Sequence, residues 1–139
     1  MSTQKTIENT KVNIRLKLAT LWTSFMFLYI YVDYFSLYIP NKIQDISSGK
    51  VFVFNITQEF LLTALISVTI PAMMIFLSVL LKTKVCRWAN IIIASVYIPY
   101  SLFNLIGETW VYMILGAIIE VIILFVIISY AWKWPQIEV

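Results

Sequence analysis

The chain has no histidine, a single cysteine (Cys86) and only three glycines (Gly49, Gly107, Gly116) among its 139 residues, and 12% of them are charged. Each scarcity removes a class of chemistry. Without histidine there is no Ser-His-Asp triad, no histidine haem ligand and none of the common zinc sites. One cysteine cannot form an internal disulfide, and three scattered glycines do not make a phosphate-cradling loop. No cofactor and no metal are therefore expected. The shortage of charge speaks about solvent. A soluble domain carries about 25% charged residues, whereas this chain is 61% hydrophobic with a mean hydropathy of +0.89. A water-soluble fold is excluded, and the lipid bilayer is the first expected partner.

What is present is four long apolar runs, at about 16–37, 60–81, 88–106 and 110–132. Each approaches the ~20 residues that a helix needs to cross ~30 Å of hydrocarbon. Barrel strands alternate over about 10 residues, and these runs are continuous. The expected fold class is all-α, an integral membrane four-helix up-down bundle in one domain, because connections at about 82–87 and 107–108 are short enough to force antiparallel neighbours. The only long connection is an external loop at about 40–59, whose apolar segment Val51–Ile56 is too short to span and reads as a strand or an interfacial cap. Trp22, Trp88, Trp110, Trp132 and Trp134 fall near the run ends, where amphipathic rings favour the headgroup region. Basic residues ahead of the first run resemble a secretory signal, but the run is longer than an h-region and no small-residue cleavage site follows, so a retained first helix is expected.

A net charge of +3 raises the question of nucleic acid, and the placement of the charges answers it. Lys5, Lys11, Arg15 and Lys17 precede the first run, Lys82, Lys84 and Arg87 separate the second and third, and Lys133 follows the fourth; only Lys42 and Lys50 lie in the first loop. This is a topology signal that puts both termini in the cytoplasm. No nucleic-acid partner is expected. Cys86 falls in the predicted cytoplasmic turn and reads as a reduced spectator thiol. Asn55-Ile56-Thr57 fits the glycosylation pattern and is read as incidental.

Helical spacing gathers polar and small residues onto one side of each run. In the second, Glu59, Thr63, Ser67, Pro71, Met74 and Ser78 follow steps of three or four, and in the third Asn90, Ala94, Tyr97, Ser101 and Asn104 do the same. The first contributes Tyr29, Asp33 and Ser36, and the fourth Gly116 and Glu120. These faces are expected to point into the bundle, as helix-to-helix glue or as the lining of a cavity. Pro71 and Pro99, near the middle of their runs, each free a carbonyl and bend the axis.

Asp33 and Glu120 stand apart, because a charged side chain at the bilayer centre costs about 2.5–3.5 kcal/mol on insertion scales. No basic residue lies in the interior of the runs to pair with them, Lys17 being at the very start of the first. Each must be neutral, hydrated, hydrogen-bonded or bound to a cation, and each is expected to face the interior. With Glu59 and Glu108 at the rim, they suggest an acidic funnel that opens outward and narrows toward Glu120; Tyr29, Tyr97, Ser101 and Asn104 complete the candidate binding residues. The competing roles are acids that only tie helices together and acids at an oligomer contact.

Arg87-Trp88-Ala89-Asn90-Ile91, Ile119-Glu120-Val121, Tyr130-Ala131-Trp132-Lys133-Trp134, Tyr29-Ile30-Tyr31-Val32-Asp33 and the segment 71–78 resemble an uncharacterised bacterial family of small four-span membrane proteins, along nearly the whole chain. The resemblance implies residence in the bacterial cytoplasmic membrane and brings no activity with it. It carries over Asp33 and Glu120; an acid often found in that family just ahead of the Ile-Pro pair is Thr69 here. A wider likeness to DoxX-like four-helix proteins is one of architecture, which does not imply function. The expected function is a multi-pass protein that binds or moves a proton, a cation or a small lipophilic molecule around Asp33 and Glu120. The alternatives are a non-catalytic subunit of a larger membrane complex and, with less support, an intramembrane isomerase or oxidoreductase. A bundle this small would need a second copy to line a pathway, so a homo-oligomer or a larger complex is expected.

Overall fold

The computed structural model of the chain describes residues 10–135. Helix α1 (Ile14–Ser36) starts where Asn13, in extended backbone, accepts the Arg15 N–H on its side chain. Thr57 caps α3 (Gln58–Leu80) in the same way by accepting the Phe60 N–H, so each helix begins at a residue able to satisfy an orphan amide. Helices α4 (Thr83–Phe103) and α5 (Val111–Trp132) complete the set of long helices. All four have 21–23 residues and are apolar enough to cross a membrane. The protein is a multi-pass four-helix bundle.

Helix α4 begins at Thr83, ahead of the expected start near Trp88, and ends at Phe103. Two residues in extended backbone, Leu81 and Lys82, suffice as the connection. Cys86 therefore lies in the first turn of α4 and not in a turn between helices; it is fully buried, with its thiol donating to the Ser78 carbonyl at 3.1 Å. The connection is held by Arg15, whose guanidinium donates to the carbonyls of Val79 and Leu81 and to Thr83 Oγ1. Arg87 likewise donates to the Trp132 carbonyl. Basic side chains at this end satisfy carbonyls that the helix ends leave free.

The long loop folds back over the opposite end. It holds a short helix α2 (Lys42–Ser47) and a hairpin of β1 (Lys50–Val51) and β2 (Phe54–Asn55), with Lys50 opposite Asn55 and Val51 opposite Phe54. The apolar segment is thus a strand pair turned at Phe52, which takes φ 57°, a left-handed value rare for an aromatic residue. The turn between α4 and α5 passes beneath it at Gly107, where an added Cβ would come within 2.9 Å of Phe52 Cζ.

Packing is uneven around the bundle. Helix α4 lies along α5, and α1 against both α3 and α5, whereas α3 meets α4 sparsely. The α1–α5 seam is tight at Gly116, where a Cβ would sit 2.6 Å from Val32 Cγ2. The apolar core (Leu18, Trp22, Phe25, Met74, Leu124, Ile127) occupies the half nearer the chain ends. In the other half Leu61, Leu62, Leu65 and Ile66 of α3 are all exposed. As a result the α3 stripe divides: Pro71, Met74 and Ser78 are buried, Ser67 is half-buried, and Glu59 and Thr63 are exposed. On α4, Asn90, Ala94, Tyr97 and Ser101 are buried and Asn104, at the C-cap, is exposed. Spacing predicts a shared face, but not how far along its length a neighbouring helix covers that face.

Candidate functional site

Glu120 lies nine residues into α5, about 13 Å from its start and near mid-span. It is 4% exposed, the one buried carboxylate among the described residues. Its position follows from Gly116 one turn earlier: the missing side chain lets α1 approach, and the same face of α5 then points inward at 120.

Asp33 is placed differently from the expectation. Val32 fills the notch at Gly116, so Asp33, one residue on and about 100° around the helix, emerges at the edge of that seam and is exposed. The contact of Val32 with Gly116 sets Asp33 one residue, and Glu120 one turn, from the point where the two helices meet. Tyr29 lies within the influence of both carboxylates, and Tyr112 within that of Asp33 and Glu108. Asp33 itself feels the charge of Lys42 at the start of α2, without forming an ion pair with it.

A layer of hydroxyl groups adjoins Glu120. Tyr29 Oη and Tyr100 Oη are 3.3 Å apart, and Tyr100 Oη donates to Ser67 Oγ at 3.2 Å. Tyr97 donates to the Ser67 carbonyl. That carbonyl is the one that Pro71, four residues on and lacking an N–H, leaves without its helical partner. The freed group expected from the proline is thus satisfied by a tyrosine from the neighbouring helix. None of these bonds reaches Glu120. Ser101 is close enough to influence the carboxyl, yet its buried Oγ makes no contact of hydrogen-bonding geometry. Glu120 is therefore a buried acid with Ser101 beside it and no bond from the tyrosines of the layer.

Of the remaining expected site residues, Tyr29, Tyr97 and Ser101 come to this layer, while Glu59 and Asn104 are exposed near the loop end. Tyr100 belongs to the layer and is absent from the expected set, although it lies three residues after Tyr97 on the same face. A second polar cluster, nearer the chain ends, is centred on Asn90. Its Oδ1 accepts from Trp22 Nε1 at 2.7 Å and from Ser78 Oγ at 3.3 Å, and its Nδ2 donates to the Cys86 carbonyl at 2.8 Å. This cluster ties α1, α3 and α4 together and is satisfied throughout, which suits glue and not a site.

Two open clefts occur at the loop end. One, of about 220 Å³, is lined by Phe35, Tyr38, Ile39, Trp110 and Tyr112. The other, of about 440 Å³, is lined by Thr57, Gln58, Glu59 and Leu62 at the start of α3. Glu120 lines neither. Compared with known proteins, residues 5–139 match the family model described as "Family of unknown function (DUF6326)". No curated protein and no solved structure matches the chain.

Proposed function

Because the chain belongs to DUF6326, a family of unknown function, we propose on physical grounds that it is a membrane protein that binds or moves a proton, a cation or a small lipophilic molecule at Glu120, with Asp33 at the outer edge of the same site. The carrying observation is the buried carboxyl of Glu120 near mid-span, away from the basic residues at the helix ends and without a bond from the tyrosines of the layer beside it. An acid held only as glue would be satisfied by the helix it ties, as Asn90 is. Ionisable groups at this depth face a bundle interior or a water-filled cavity and mark ion or substrate pathways. The reading includes termini and the α3–α4 connection in the cytoplasm, and a cytoplasmic-membrane location, on the strength of the basic residues at that end.

Glu120→Gln tests it. Gln keeps the shape and the hydrogen-bonding capacity of a neutral Glu and removes the charge. Purified wild-type and E120Q protein are compared by thermal stability across pH and across added cations. The wild type is expected to respond to pH or to a cation where the variant does not. Superimposable responses would reduce Glu120 to a packing residue and favour the second reading, an assembly subunit of a larger membrane complex, which the exposed outer half of α3 supports.

A further inference from the structure

The cleft where α1 ends and α5 begins is walled by the rings of Phe35, Tyr38, Trp110 and Tyr112, with Ile39 as its aliphatic member. Aromatic rings at the end of a span are the ordinary anchors of the headgroup region. Three further features distinguish this group. The rings surround a concavity of about 220 Å³, the size of a small cationic head and not of a whole lipid. Two acids flank the cleft in the chain, Asp33 two residues before Phe35 and Glu108 two before Trp110, and both act on Tyr112. The Tyr112 hydroxyl is buried and has no hydrogen-bond partner.

Ring faces present negative electrostatic potential, and a cation above them is attracted without surrendering a hydrogen bond it does not have. That favours a quaternary ammonium over a primary amine or a metal ion, both of which would need several oxygen ligands in a cleft whose lining is carbon apart from the hydroxyls of Tyr38 and Tyr112 and the Trp110 indole N–H. The helix ends do not decide the sign here, because α1 contributes the carbonyl end of its dipole and α5 the amide end, and the two offset. Side-chain charge decides it: two carboxylates against Lys42, which acts on Asp33.

We propose that this aromatic cleft binds a small organic cation with a quaternary ammonium head, taken from solution, as an outer subsite on the way to Asp33. The inference rests on the reading of Asp33 and Glu120 as a site only for the last clause; binding in the cleft stands or falls separately.

The probe is benzyltrimethylammonium, set against neopentylbenzene, its uncharged isostere, by calorimetric titration of the purified full chain in a maltoside detergent and in phosphatidylglycerol nanodiscs. The cation is expected to bind at least ten times more tightly than the isostere. Trp110→Leu, at an exposed position, and Glu108→Gln, at a half-buried one, are expected to weaken it by about threefold to thirtyfold, with thermal stability confirming that they fold. Lys42→Gln is expected to tighten it. E120Q is expected to leave cleft binding intact, so loss of the cleft and loss of the Glu120 reading give different results. Equal affinity for probe and isostere, no binding of either, or indifference to both W110L and E108Q would overturn the proposal. Suppression of binding in phosphatidylcholine nanodiscs would overturn the solution source and assign the cleft to a lipid headgroup.

Discussion

Tyr97 and Pro71 show how a single residue's chemistry passes from one helix to another. Proline removes the amide that would have bonded the Ser67 carbonyl, and in hydrocarbon no water replaces it. The Tyr97 hydroxyl supplies the missing donor. Tyr97→Phe is expected to destabilise the protein by about 1 kcal/mol, within the range measured for single interhelical bonds in membranes. In a Pro71→Ala background, where residue 71 regains its N–H, the same change should cost less. Chemical denaturation of the four proteins in a double-mutant cycle measures the difference; equal costs in both backgrounds would disconnect the tyrosine from the proline. The freed carbonyl could be read from the sequence. Its partner could not, because Tyr97 lies 30 residues away and only the α3–α4 approach brings them together.

Among the helices, Gly116 governs a tight point of the α1–α5 seam. A Cβ there meets Val32, whose branched side chain has little freedom to yield. Gly116→Ala is therefore expected to destabilise by about 1–2 kcal/mol, the overpacking cost exceeding the gain in helix propensity, and Val32→Ala in the same chain should recover most of it. Failure of the second change to rescue would show that the seam is not set by this contact. Helix α3 shows the limit of spacing as a guide. Its stripe of Glu59, Thr63, Ser67, Pro71, Met74 and Ser78 is continuous in the sequence, but only its second half is covered. Periodicity reports which residues share a side, whereas cover depends on how near the next helix runs.

For the molecule as a whole, the basic residues at one end have two uses. By the positive-inside rule they predict that this end faces the cytoplasm, and Arg15 and Arg87 also satisfy carbonyls at helix ends. Cysteine labelling tests the orientation cleanly, because the native thiol of Cys86 is fully buried. Wild-type protein in intact cells is expected to stay unlabelled by an impermeant maleimide. K84C, at an exposed position of α4, should also stay unlabelled from outside and become labelled once the membrane is opened. Labelling of K84C in intact cells would invert the topology and with it the outward-opening site.

The sequence by itself determined the solvent, the number of spans and the residues that must be explained. These depend on composition, run length and the cost of charge in hydrocarbon, all of which are local. Asp33 and Glu120 were visible on that ground alone, since the interior of the runs holds no basic residue to neutralise them. Their separation into a rim acid and a buried one was decided by tertiary structure, through the fit of Val32 into Gly116. So were the burial of Cys86, the hub at Asn90 and the aromatic cleft, which joins residues of the first and last long helices. Each depends on contacts between positions far apart in the chain, and those are set by the distances between helices, which no single run encodes.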